Sequence, residues 1–86
     1  MYSSTYLLAQ RAIADLKGAV VALLESAGGS LTNAQIGRAL GIYGGHIGHE
    51  GHISRTLLEQ LRSEGVVSQD AHSKQWQLTR FEEPER

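Results

Sequence analysis

Apolar residues recur at alternating steps of three and four over the first third of the chain. These residues are Tyr6, Ala9, Ile13, Leu16, Val20, Leu23 and Ala27. Because an α-helix turns once in about 3.6 residues, this spacing places them on one stripe of a helix. The hydroxyl residues at positions 3–5 predict where the helix begins, and Gly28 with Gly29 predicts where it ends. Gly18 lowers the helix propensity in the middle and predicts either a bend or two successive helices.

A short second helix is predicted by a capping box. Thr32 and Gln35 have the spacing at which each side chain accepts a hydrogen bond from the backbone N–H of the other residue. Leu31 and Ile36 stand at the two positions of a hydrophobic staple, which fixes the direction in which the chain enters a helix. Gly41 predicts the end of this helix.

A third helix is predicted after a glycine-rich loop. Residues 41–51 contain five glycines, a composition that is typical of a loop. The helix is expected over residues 52–63 or 52–64, and Gly65 predicts its end. The apolar residues expected to face the core are Ile53, Leu57, Leu58 and Leu61. The opposite side carries His52, Arg55, Thr56, Glu59 and Arg62.

After Gly65 the pattern changes from a helical period to that of β-strands. Residues 66–69 begin with two valines, and residues 75–79 alternate between polar and apolar side chains. The polar residues 70–74 between them predict a turn, so the two strands are expected to form a hairpin. Residues 81–86 are largely acidic and predict a flexible, solvated tail.

Three segments in this order carry a resemblance to a known family: LTNAQIGRALG at 31–41, ISRTLLEQLRSEGVV at 53–67 and WQLT at 76–79. Together they resemble a winged-helix domain, the helix-turn-helix variant in which a β-hairpin follows the third helix. The resemblance implies a mainly α fold with a small β-hairpin, built from three core helices, the first long or bent, and a two-stranded wing. It implies one domain over 1–80, of which 1–17 form an N-terminal helical extension. The glycine-rich connection is longer than is usual in the family.

The resemblance implies binding of double-stranded DNA by a transcriptional regulator or accessory DNA-binding module. The third helix would enter the major groove and the wing would rest on the phosphate backbone. Arg55 has the paired donors that recognise guanine, and Lys74 suits a phosphate. The candidate DNA-binding residues are His49, His52, Ser54, Arg55, Thr56, Glu59, Arg62, His72, Ser73 and Lys74. Alternatively, these residues form an ordinary solvated face, in which Glu59 pairs with Arg55 and Arg62 and Asp70 adds a repulsive charge at the turn.

The overall charge argues against a polycation that coats nucleic acid. The 86 residues carry a formal charge of −1, with 8 basic and 9 acidic side chains. Residues 82–86 hold three of the acidic and one of the basic side chains, so the rest of the chain has a charge of +1. All four histidines lie between positions 46 and 72, where protonation would add positive charge near neutral pH.

Composition also limits the chemistry of the chain. With no cysteine, neither a disulfide nor a thiolate zinc site can form. No secretory signal or membrane-spanning stretch is recognisable, so a cytoplasmic protein is expected. The histidines at 46, 49 and 52 suggest a metal site, but their spacing spreads them around a helix, and we predict no metal and no cofactor. A glycine repeat over 45–51 lacks the strand and lysine of a nucleotide loop, and no catalytic set is evident, so the chain is not expected to be an enzyme.

The stripe on the first helix has two interpretations. Its second half is expected to pack on the domain itself, whereas its first half, comprising Tyr6, Ala9, Ile13 and Leu16, predicts a homodimer contact. A second class of function stays open beside DNA binding, because the same fold also serves as a protein-interaction or oligomerisation module with a larger protein partner. A third interpretation is a specificity domain detached from a larger nucleic-acid enzyme.

Overall fold

The fold consists of three helices followed by a β-hairpin, which confirms the prediction of a mainly α fold with a small hairpin. A computed structural model describes residues 3–44 and 50–79. Its elements are α1 (Ser3–Ala27), α2 (Asn33–Ala39), α3 (His52–Ser63), β1 (Val67–Gln69) and β2 (Trp76–Leu78). The candidate residue His49 and the predicted tail at 81–86 lie outside the described residues.

Helix α1 is one continuous helix of 25 residues, so Gly18 does not divide it. It ends before Gly28, which has a φ of 68°. Glycine reaches this left-handed conformation without the steric cost that a Cβ imposes. Val20 and Leu24, in the second half of the helix, are buried, whereas every residue from 3 to 12 is exposed. Ala27, the last member of the predicted stripe, is also exposed.

Helix α2 begins with the predicted capping box. The Gln35 backbone N–H donates to Thr32 Oγ1 over 3.1 Å, and the Thr32 N–H donates to Gln35 Oε1 over 2.8 Å. These two bonds satisfy amide groups that otherwise lack a partner at the beginning of a helix. Gly41 follows the helix with a φ of 73°, as predicted for its end.

The hydrophobic core joins all three helices to the hairpin. It contains Val20, Leu24, Ile36, Leu57, Leu58, Leu61, Val67 and Trp76. Trp76 is the largest of the fully buried side chains. Its strand pairs with β1 in antiparallel register, with Gln69 opposite Trp76 and Val67 opposite Leu78. Its backbone also exchanges two hydrogen bonds with Leu31, of 2.9 and 2.7 Å, so that the hairpin is fastened to the beginning of α2.

The predicted core face of α3 was wrong at one position. Ile53 is 41% exposed, and the buried place is taken instead by Ser54, which has no exposed surface. The three leucines of α3 pack in the core as predicted. Within residues 3–44 and 50–79, none of the helices combines the length and the apolar content that a bilayer crossing requires.

Candidate nucleic-acid interface

The outer face of α3 carries most of the candidate DNA-binding side chains. His52, Arg55, Thr56, Glu59 and Arg62 are all exposed. Thr56 Oγ1 donates to the His52 carbonyl oxygen over 2.8 Å, which keeps this side chain close to its own helix. Glu59 forms an ion pair with Arg62. The alternative pair between Glu59 and Arg55 is absent from the described residues, where the ion pairs join Glu59 to Arg62 and Lys17 to Glu64.

Ser54 was wrongly predicted as a DNA contact. Its hydroxyl oxygen lies 2.8 Å from Asn33 Oδ1 and 3.0 Å from the Gly51 carbonyl oxygen, and its one proton is shared between these acceptors. Because the side chain is fully buried, a ligand on the surface of α3 has no access to it. Ser54 connects α3 to the beginning of α2 instead.

The beginning of α3 is held in place by a small cluster from α2 and the following loop. Asn33 Nδ2 donates to the Gly51 carbonyl oxygen over 3.0 Å, at the residue that precedes α3. The Tyr43 ring packs so closely that a Cβ on Gly51 would lie 2.6 Å from its Cε1, and one on Gly37 would lie 2.9 Å from its Cδ1. The Arg38 guanidinium lies 4.6 Å from the centre of the same ring, a distance typical of a cation–π contact.

Sequence reasoning missed this cluster. Neither Asn33 nor Tyr43 was a candidate, because a polar residue in the first turn of a helix and an aromatic residue in a loop are both ordinary. The available signal was glycine itself, since Gly37 interrupts an otherwise well-formed helix and Gly51 directly precedes one. A glycine at such a place often marks the close approach of another group.

The turn between β1 and β2 is organised by a carboxylate. Asp70 Oδ2 accepts hydrogen bonds from the backbone N–H groups of Ser73, over 2.7 Å, and His72, over 3.0 Å. Hydrogen bonds to the carboxylate hold the pKa of Asp70 below its ordinary value. The Ser73 backbone N–H contributes most, followed by the Ser73 hydroxyl and the His72 backbone N–H. The carboxylate is therefore a structural part of the turn.

Lys74 closes this turn in an unusual backbone conformation. Its φ is 64°, which lies in the left-handed region and is uncommon for a residue other than glycine. Its carbonyl oxygen accepts a hydrogen bond of 3.0 Å from Gln69 Nε2. The side chains of His72, Ser73 and Lys74 are exposed, as a contact surface requires.

A groove joins the outer face of α3 to the hairpin. It has a volume of about 440 Å³ and lies between the beginning of α2, α3 and the two strands. Its lining residues are Thr32, Asn33, Ala34, Tyr43, Arg55, Glu59, Gln69, Lys74 and Trp76. Two of the predicted cations, Arg55 and Lys74, thus share one concave surface, with the Glu59 carboxylate beside them. His52, Thr56, Arg62, His72 and Ser73 are outside its lining.

The part of the chain that the structure describes contains no group of three His, Asp or Glu side chains able to hold a metal ion. Two of the three histidines considered for such a site, at 46 and 49, lie outside the described residues. Comparisons with protein-family models, curated proteins and solved structures give no significant match.

Proposed function

We propose that the chain is a winged-helix domain that binds double-stranded DNA, as a cytoplasmic transcriptional regulator or accessory DNA-binding module without enzymatic activity of its own. The observation that carries the proposal is the shared groove, in which Arg55 from α3 and Lys74 from the hairpin line one concave surface. Two cations on separate elements that line one groove can contact a polyanion, such as DNA, whose charges are regularly spaced along its backbone.

Helix α3 is the element that would read the base sequence. The major groove of B-DNA is about 12 Å wide and admits one α-helix. Arg55 is exposed on the outer face of α3, within its first two turns, and no salt bridge occupies it among the described residues. A guanidinium in this position donates two hydrogen bonds to O6 and N7 of guanine. Glu59, one turn further along, has the acceptor that cytosine N4 requires.

The hairpin would position the protein on the phosphates. The Asp70 carboxylate binds two backbone N–H groups of the turn, so this turn has little freedom left to lose when it contacts DNA. Lys74 projects from it as an exposed cation. A contact of this kind orients the protein without selecting a base sequence.

The low charge of the chain sets the expected strength of binding. With Arg55 and Lys74 as the cations of the groove and Arg62 engaged by Glu59, few phosphates are neutralised. Because the salt dependence of affinity scales with the number of neutralised phosphates, we expect modest affinity per subunit and a shallow dependence on salt.

A second candidate function is a protein-interaction module that does not bind DNA. Two observations favour it: the Glu59 carboxylate lies in the same groove as the two cations, and Ile53 is exposed on α3. An apolar side chain and a mixed-charge surface are typical of a contact with another protein.

A titration followed by amide chemical shifts distinguishes the two functions. The labelled protein is titrated with a random-sequence DNA duplex at low salt, and again at high salt as a control for the electrostatic contribution. DNA binding predicts shift changes concentrated in residues 46–62 and 69–76 that diminish at high salt. Unchanged shifts in these two segments at low salt would contradict DNA binding and favour the protein partner.

A further inference from the structure

The first half of α1 projects from the domain with an apolar stripe that nothing in the described residues covers. Residues 3–12 are all exposed, and Tyr6 retains 62% of its surface. The same stripe continues through Ile13 and Leu16, which are half-buried against the core, to the buried Val20. A helical segment of this length that is exposed throughout is only marginally stable in water by itself, so a covering partner would stabilise it.

The spacing of the stripe is self-complementary. Tyr6, Ala9, Ile13 and Leu16 are separated by three, four and three positions, an order that reads the same in both directions. In an antiparallel pair of α1 helices with a two-fold axis at the level of residue 11, Tyr6 of each copy lies opposite Leu16 of the other. Ala9 then lies opposite Ile13, so that a small side chain faces a large one. This reciprocity is the property of a two-fold interface.

A shallow groove beside the stripe extends the surface onto α3. It has a volume of about 250 Å³. Its apolar lining comes from Ile13 and Leu16 of α1 and from Ile53 and Leu57 of α3, and His52, Thr56 and Gln60 of α3 complete it. Ile13 and Leu16 of this groove lie about 10 to 15 Å along α1 from Tyr6, at 1.5 Å per residue. A straight helix cannot fold its Tyr6 end into its own groove, but the antiparallel pairing brings Tyr6 of a second copy to that level.

The charges of this segment do not oppose the pairing. Arg11 and Asp15 are the charged residues between Tyr6 and Leu16. At 100° per residue they point about 180° and 140° away from the centre of the stripe, so both face away from the paired helix. Leu8 is as exposed as Tyr6, at 63%, but lies about 120° from the centre of the stripe and outside the pairing.

We infer that the chain forms a two-fold symmetric homodimer through antiparallel contact of the first halves of α1, with Tyr6 of each copy seated against Leu16 and Ile53 of the other. The contact surface shares no lining residue with the groove that contains Arg55 and Lys74, and it reaches His52 and Thr56 at the edge of the outer face of α3. The contact itself does not require DNA.

Sedimentation equilibrium over a range of protein concentrations tests the dimer. As the protein concentration rises, the average mass of the wild-type chain is expected to increase from that of the monomer towards that of the dimer. Tyr6→Ser removes two contacts per dimer and is expected to raise the dissociation constant by about tenfold or more. Leu8→Ser is the matched control, because it removes an equally exposed side chain outside the stripe, and its dissociation constant is expected to equal that of the wild type. A wild-type chain that stays monomeric, or a Tyr6→Ser variant that associates as strongly as Leu8→Ser, would overturn the inference.

Disulfide cross-linking tests the antiparallel register. Because the chain contains no cysteine, each of the variants Ala9→Cys and Ile13→Cys has a single thiol at a known position. In an oxidised equimolar mixture of the two variants, random pairing gives one half mixed disulfide, and the antiparallel register predicts a fraction clearly above one half. A parallel register would instead favour the homodisulfides, and this result would contradict the proposed interface. Circular dichroism of both variants checks that they retain the wild-type helix content.

Discussion

The orientation of α3 depends on a few residues outside the predicted set of DNA contacts, two of which, Asn33 and Tyr43, line the groove beside Arg55. Asn33 and Ser54 both contact the Gly51 carbonyl oxygen, and the Tyr43 ring fills the space that side chains on Gly37 and Gly51 would need. These contacts determine where α3 begins and so where Arg55 emerges one turn later. A substitution in this cluster is therefore expected to change the recognition surface by moving the beginning of α3, even where the substituted residue is not a predicted DNA contact.

Gly51→Ala tests this close packing, and Gly28→Ala is its matched control. Both glycines have a positive φ, of 79° and 68°, so each alanine pays a similar backbone cost of about 1–2 kcal/mol. Only the Cβ at position 51 meets other atoms, 2.6 Å from Tyr43 Cε1 and 2.7 Å from Asn33 Nδ2, whereas that at position 28 has nothing within 4 Å. Urea denaturation is expected to give a larger loss of unfolding free energy for Gly51→Ala than for Gly28→Ala. Equal losses would contradict the packing of Tyr43 and Asn33 around Gly51.

At the scale of single residues, the helical period predicted some positions of α3 and misplaced others. Leu57, Leu58 and Leu61 define the buried direction of the helix. At 100° per residue Ser54 lies within about 15° of that direction, whereas Ile53 lies about 90° away. The prediction relied on the polarity of each side chain rather than on its angular position around the helix. It therefore placed Ile53 in the core and Ser54 on the surface. The partner that makes a buried serine acceptable, Asn33, is distant in sequence and gives no local signal.

Among the elements, the hairpin turn depends most directly on one ionisable group. Asp70 in its ionised form accepts the hydrogen bonds of Ser73 and His72, which lowers its pKa. A carboxyl whose pKa is lower in the folded state stabilises that state fully above its ordinary pKa. The contribution is lost as the pH falls through the lowered value, so the turn is expected to loosen in acid and not at neutral pH.

Carboxyl NMR of Asp70 measures this directly. We expect a pKa below the ordinary value of an aspartate, with the Ser73 and His72 amide shifts following the same titration. In Ser73→Ala the pKa is expected to rise part of the way, because the hydroxyl contribution is removed while the two backbone donors remain. An Asp70 pKa at or above its ordinary value would show that these hydrogen bonds do not hold the turn.

Boundaries were well predicted where residues next to a helix end specify that end. The capping box defines the beginning of α2, and the glycines at 28, 41 and 65 define helix ends through their positive φ. The pairing of Leu31 with Trp76 was not predicted, because it joins residues 45 positions apart and leaves no periodic pattern. The groove shared by Arg55 and Lys74 depends on this same non-local contact.

The whole molecule presents two candidate surfaces, which approach each other on α3 at His52 and Thr56. One surrounds the groove between α3 and the hairpin, and the other is the stripe along the first half of α1. If both proposals hold, a dimer carries two DNA-binding surfaces, which doubles the phosphate contacts available to a chain of such low charge. The order of the elements and the helix ends could be predicted from the sequence because they are local properties, whereas the groove required the folded structure.

Affinity for a preferred duplex, obtained by selection from random sequences and measured by fluorescence anisotropy, tests DNA binding most directly. Lys74→Gly removes the charge and suits the positive φ of this position, so it is expected to weaken binding evenly across sequences and to reduce the salt slope by about 1. Arg11→Ala removes an equal charge away from the groove and is the control. We predict that Arg55→Ala costs about 1–3 kcal/mol, or roughly a 5- to 150-fold loss of affinity, while Arg11→Ala binds as the wild type does. Failure of the wild-type chain to bind any duplex, or wild-type affinity in Arg55→Ala, would contradict the account.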